Sequence, residues 1–152
     1  MPVIDTGDVL VDLVDNAIAI LNLKKADWSI VQWFRTEQKH YRNLPAGVVQ
    51  VMEAELETRG SQIARLNAQL SIVYYHGIVD ERLLQEAVAQ RTYDIAVWMA
   101  THRTLNGFCF DVQLDGPFGQ IIRPQPDLGN YVAGGTVTVR CYKDDINLTD
   151  VS

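Results

Sequence analysis

A two-layer α+β domain, in which two helices cover a mostly antiparallel sheet and a long loop or β-arm departs from it, is what the sequence predicts. Residues 8–23 and 80–103 carry apolar side chains at three- and four-residue spacing, the period of a helix with one buried face. Other stretches alternate apolar and polar residues one by one, as strands with one face in a core do. The third observation is the order of these segments: α, β, β, β, α, β, loop, β. Strands mostly follow strands, so the helices segregate onto one face instead of bridging parallel strands. A chain of 152 residues fits a single domain, one that buries roughly 70% of its unfolded surface. Hydrophobic residues at 47% and charged residues at 21% exclude disordered, coiled-coil and collagen-like classes.

The first helix places Val9, Leu10, Leu13, Val14, Ala17, Ile18 and Leu21 on one side, with Asp5, Thr6 or Asp8 as its N-cap. Residues 28–34, rich in aromatics, read as a short strand, and the polar, basic stretch 35–43 as a loop. Leu44-Pro45-Ala46-Gly47 opens a strand through Val48, Val49 and Val51 into Glu53, Glu55 and Glu57, with Pro45 at its start. A turn at Arg59-Gly60-Ser61 leads into an antiparallel partner. In that partner Leu66, Ala68, Leu70, Ile72 and Tyr74 face one side and Asn67, Gln69 and Ser71 the other. The second helix starts at Asp80, carries Leu83, Leu84, Ala87, Val88, Ile95, Trp98 and Met99 on its apolar side, and ends at Asn106-Gly107. Phe108, Phe110, Val112 and Leu114 alternate with Cys109, Asp111 and Gln113 as a further strand. Residues 115–130, with Pro117, Pro124 and Pro126 among glycines, form an irregular excursion or a loose β-arm. Val137, Val139 and Cys141 alternate with Thr136, Thr138 and Arg140 in the last strand, and the acidic segment 144–152 lies outside the core.

A formal charge of −6, with no basic cluster beyond Lys24-Lys25 and the looser Arg35, Lys39, Arg42 group, argues against gripping nucleic acid. The absence of a long apolar run and of a signal-peptide pattern predicts a cytosolic protein with no membrane span. Cys109 and Cys141 lack metal or redox spacing and read as free packing thiols. Glu53, Glu55 and Glu57 place three carboxylates on one strand face, where paired acids can perform acid/base work or hold a hard cation. The preferred reading is a solvated face, because no His stands within four residues and like charges this close favour water between them. His40, His76 and His102 are isolated, and no nucleophile elbow, P-loop or dinucleotide fingerprint occurs. No catalytic residue, cofactor or metal is therefore expected. An alternative remains a small cytosolic ligand-binding domain or enzyme with an acidic site around Glu53, Glu55 and His76. Adjacent Tyr74 and Tyr75 point to opposite faces of a regular strand, which makes Tyr75 a candidate for an exposed interface anchor.

From Leu44-Pro45, through the strand ending in Ile72-Val73-Tyr74-Tyr75, the helix 80–103 and Leu105-Asn106-Gly107, to the strand ending at Cys141, the layout resembles the tail-terminator and related neck proteins of tailed bacteriophages. The resemblance implies a homo-hexameric ring on the head-proximal end of the tail tube, which stops tube polymerisation and meets the head-side connector or stopper protein. DNA would pass through without specific binding, and neither cofactor nor catalysis is implied. Another neck subunit of stopper type is the variant of this reading. The location implied is the host cytoplasm during assembly and the virion neck afterwards. Contacts to other subunits or the tube fall on the long excursion, at Phe118, Gln120, Ile121, Ile122, Arg123 and Asp127, together with Tyr75. Glu53, Glu55 and Glu57, or alternatively Asp111 and Asp115, would line or rim the channel, where an acidic wall repels phosphate and lets DNA slide.

Overall fold

The computed structural model describes residues 3–38, 43–58, 60, 62–77, 81–125 and 130–148; at 77, 81–85, 120–125 and 130–132 the backbone alone is described. Helix α1 (Val9–Asn22) begins at Asp8, whose carboxylate accepts the Val11 amide and satisfies one of the orphan donors of the first turn. Then come β1 (Gln32–Phe34), β2 (Ala46–Thr58), β3 (Ile63–Gly77), α2 (Glu81–Thr101), β4 (Asp111–Leu114), β5 (Gly119–Gln125) and β6 (Asn130–Asn147). They form one sheet in the order β1-β2-β3-β6-β4, with β5 also on β6. Only β1 runs parallel to its neighbour. Strands β4 and β5 share the outer edge of β6, β4 against its second half and β5 against its first. The α+β two-layer architecture is the expected one.

Both helices cover one face. The period-two side of β3 (Leu66, Ala68, Leu70, Ile72, Tyr74) and that of β6 (Val137, Val139, Cys141) meet Leu13, Ala17 and Ile20 of α1 and Val88, Ile95 and Met99 of α2 in a single cluster. Burial of a side chain such as Leu70 or Ile72 contributes roughly 1.5–3 kcal/mol. Trp98 ties the two helices together: its indole Nε1 donates to Ile20 O at 2.9 Å, and Trp28 meets its ring edge-on at 6.4 Å between centroids. Cys109 and Cys141 are free, buried thiols. Among the described residues no helix is long and apolar enough to cross a membrane.

Several segments differ from the sequence expectation. Of residues 28–34 only Gln32–Phe34 pair as a strand; Trp28 belongs to a helical turn, its amide bonded to Lys24 O at 2.9 Å. The strand expected from Phe108 begins only at Asp111, because Leu105, Asn106 and Gly107 all take positive φ and delay it. Phe108 and Cys109 are consequently both buried, while Phe110, 64% exposed, lies against the Arg65 guanidinium at 5.3 Å. Leu114 and Ala87, both expected inside, are exposed. The excursion 115–130 is built as the β-arm of the two alternatives, with β5 folded onto β6. The acidic tail is in part structural: β6 continues to Asn147, pairing Ala64 with Ile146, and Arg65 binds Asp144. Asp80, Arg59 and Ser61, expected at a helix start and a turn, lie outside the described residues, as do His40, Lys39 and Arg42.

Candidate functional site

Valines 49 and 51 and glutamates 53, 55 and 57 have the same parity, so a regular β2 would send acids into the core. The register prevents this. Val51 pairs with Leu70 and Glu53 with Gln69, so Met52 is one extra residue, a β-bulge. Past the bulge Ala54 and Leu56 stand opposite Ala68 and Leu66 on the helix-covered face, whereas Glu53, Glu55 and Glu57 stand opposite Gln69, Asn67 and Arg65 on the open face. The structure thus brings the three predicted glutamates together on one surface.

That surface is a polar lattice centred on Arg140. Its guanidinium donates to Glu53 Oε1 at 3.0 Å, Asp115 Oδ2 at 3.1 Å and Asn67 Oδ1 at 2.8 Å, and Glu53 foremost raises its pKa above the ordinary value. Gln69 also reaches Asp115 at 3.0 Å, and Asn67 donates to Glu57 at 3.3 Å. At the rim Arg103 forks onto Asp111 at 3.0 and 3.1 Å while Gln113 donates to the same carboxylate at 2.8 Å. The Gln113 amide and then the Arg103 charge hold the Asp111 carboxyl below its ordinary value. Exposed pairs of this kind are each worth only about 0–1 kcal/mol, so the lattice fixes side-chain positions more than it stabilises the fold. Among the described residues nothing engages Glu55 by hydrogen bond or ion pair, and no group of three or more His, Cys, Asp or Glu side chains is arranged to hold a metal.

The acidic site imagined around Glu53, Glu55 and His76 does not form. His76 has the parity of Tyr74, on the helix-covered face, and stands seven positions along β3 from Gln69, the partner of Glu53. Its Nδ1 lies 2.7 Å from Tyr74 Oη; burial first, and the Arg91 charge second, push its pKa below the ordinary 6.5. Tyr75 also departs from expectation. It is 4% exposed, packed with Ala46 and Val48 in a second small cluster on the open face, and its hydroxyl donates to Glu37 at 2.8 Å. Phe34 and Leu44 pack against that cluster, so both tyrosines are buried and Tyr75 is no exposed anchor. Phe118 is 43% exposed and lies 6.3 Å from the Tyr93 ring, fastening the start of the arm to α2. Gln120, Ile121, Ile122 and Arg123 lie in β5, paired with Gly135, Gly134, Ala133 and Val132. Asp127 lies outside the described residues.

Sequence reasoning missed two features. Asp12 and Asn16 are buried on α1, where they hold down the chain before it: Asp12 accepts the Thr6 amide and hydroxyl at 2.7 and 2.6 Å and the Gly7 amide at 3.2 Å, and Asn16 bonds Ile4. The Thr6 hydroxyl is the first cause of a lowered Asp12 pKa. The signal available was their spacing, four apart and in phase with the apolar side. The second feature is an apolar groove between α1 and β2, about 340 Å³ where Leu10, Leu56 and Ile146 meet and about 410 Å³ along Val11, Val14 and Val51. Its signal, the parity conflict in β2, was legible.

No family model matches this sequence, and no curated protein is significantly similar to it. The site therefore speaks through its geometry. It offers an ordered acidic sheet face, an arm whose outer strand has no further strand partner among the described residues, and an apolar groove beside a strand edge.

Proposed function

We propose that this chain is a structural subunit of a bacteriophage neck, assembling as a homo-hexameric ring that caps the head-proximal end of the tail tube and joins it to the head-side connector. The observation that carries the reading is the arm. A segment whose prolines and glycines mark it as irregular is instead the strand β5, held to β6 along its length, clamped to α2 through Phe118 and Tyr93, and unpaired on its far side among the described residues. Such an edge presents main-chain donors and acceptors to a neighbouring subunit. A heterologous contact of this kind closes a ring when the rotation between copies is right, and a closed ring that fits the tube on one side only ends its growth.

The open acidic face supports the same reading. Six copies would carry six times −6, or −36 formal charges, and an acidic wall repels the phosphates of passing DNA. Arg140 and its partners would hold that wall's carboxylates in place, so neither a cofactor nor a reaction enters the mechanism. In this reading the protein works in the host cytoplasm during assembly and in the virion neck thereafter, touching the tube protein on one side and the connector or stopper on the other.

Deleting residues 117–126 tests the arm. The truncated chain should keep its far-ultraviolet circular dichroism, because α1, α2 and the β2-β3-β6 centre remain, yet fail to cap tubes, giving tails of uncontrolled length. Tails of normal length assembled with that variant would remove the arm from the mechanism.

A further inference from the structure

The proposed ring assigns no role to the main-chain edge of β2, on the opposite lateral side of the sheet from the arm. There β1 covers only the start of β2, pairing Gln32 with Ala46, Trp33 with Gly47 and Phe34 with Val48. Among the described residues no strand pairs with the outer side of β2 at 49–58. Ten residues at about 3.3 Å each leave roughly 33 Å of unpaired edge. Natural sheets usually blunt such an edge with charged side chains, proline, a bulge or a covering segment. This one holds no lysine or proline; its glutamates repel a second acidic edge, and its bulge at Met52 turns the following side chains without ending the pairing to β3.

Two further observations say what fits. On the helix-covered side the edge borders the largely apolar groove, whose two parts share Leu10 and which Arg35, Gln50 and Glu55 also line; Leu10, Val11 and Leu56 are 40%, 39% and 51% exposed. Side chains of an added strand on that side would descend into the groove. On the open side the edge carries Glu53, Glu55 and Glu57 at two-residue spacing, and opposite charges across a strand pair attract while like charges repel. A second copy pairing the same edge symmetrically would bring two rows of glutamates face to face, which disfavours that occupant.

We propose that the free edge of β2 is a docking site for an extended polypeptide segment that alternates apolar and basic residues, the apolar ones entering the groove beside α1 and the basic ones facing the glutamates. The bulge creates this selectivity, because it puts Leu56 and the glutamates on opposite sides of one edge. Arg140 already neutralises Glu53, so Glu55 supplies most of the unspent charge. The net charge of −6 draws a basic segment toward the protein before contact. The site uses no residue of the arm on the far edge, although its glutamates belong to the acidic face that the proposed ring turns toward DNA.

The test uses the full chain and three end-capped decapeptides: alternating valine and lysine, alternating valine and glutamate, and the lysine peptide with alternate amides N-methylated. Fluorescence anisotropy reads affinity, and amide hydrogen exchange locates the site. The lysine peptide should bind and slow exchange of the outward amides between positions 52 and 58, while the glutamate and N-methylated peptides should not bind. Glu55→Lys should weaken binding about fivefold without changing the melting temperature, given up to about 1 kcal/mol for a cross-strand charge pair. Leu56→Lys should weaken it about tenfold through loss of the groove contact. No binding at millimolar peptide, protection away from β2, or equal affinity for the N-methylated peptide would each overturn the proposal. Self-association of the free chain that protects the same amides would replace the foreign strand with a second copy and overturn it as well.

Discussion

Thr92 turns its hydroxyl back onto its own helix, donating to Val88 O at 2.6 Å, and its side chain then lies directly over Gly135, where a Cβ would come within 1.8 Å of Oγ1. Helix α2 sits flush on β6 only because that position is glycine. Gly135→Ala should destabilise the fold by about 1–3 kcal/mol in urea denaturation, and Thr92→Ala should recover part of the loss, since the two sites share one contact. His76 makes a pH prediction. Its folded pKa lies below its ordinary 6.5, so its contribution is complete above about 6.5 and is lost as pH falls toward the folded value. Wild-type stability should drop as pH falls below about 6.5, and His76→Gln should flatten that part of the profile; an unchanged slope in the variant would assign it to other groups. Such side-chain detail was hard to read from the sequence. Asp12 and Asn16 look like interruptions of an apolar run, because their partners Thr6, Gly7 and Ile4 sit in irregular backbone that no periodicity announces. Tyr75 looks exposed for a similar reason: whether a strand's second face is covered depends on a distant loop.

Helix α1 and the centres of strands β3 and β6 were legible, because residues 66–74 and 137–141 each keep one period and present that face to a single core, whereas the ends of β6, toward Asn130 and Asn147, were not. Strand β4 was half legible. Its alternation extends back to Phe108 on paper, yet the positive-φ run from Leu105 to Gly107 delays the pairing and leaves Phe110 outside. In β5 the prolines argued for irregularity, but Pro124 lies on a strand with one neighbour among the described residues, where the missing amide hydrogen can face the other side. The bulge in β2 carries the most consequence for function. Deleting Met52 should force a choice between moving Glu53, Glu55 and Glu57 onto the core face and breaking the register with β3. The deletion should cost more than about 3 kcal/mol or prevent folding, because buried unpaired carboxylates are expensive. Met52→Ala, which keeps the residue count, should stay within about 1 kcal/mol of wild type in the same denaturation experiment. Similar losses from the two changes would mean that the bulge does not set the face of the glutamates.

The two sides of the sheet divide the work. One is sealed by α1 and α2 and supplies the core; the other is an acidic lattice whose side chains are fixed by Arg140, Arg65 and Arg103. The lateral edges differ as well, with the clamped arm at β5 and the apolar groove at β2. This asymmetry suits a subunit that must meet different neighbours on different sides, and the architecture behind it was predictable from segment order alone. The proposed assembly was not, because symmetry is a property of surfaces brought together by register and loops. Negative-stain electron microscopy of the concentrated protein, alone and mixed with tail tubes, tests the proposed ring most directly. Closed sixfold rings, free or seated on one tube end, are the predicted result; single subunits under both conditions, with tube ends left bare, would contradict it.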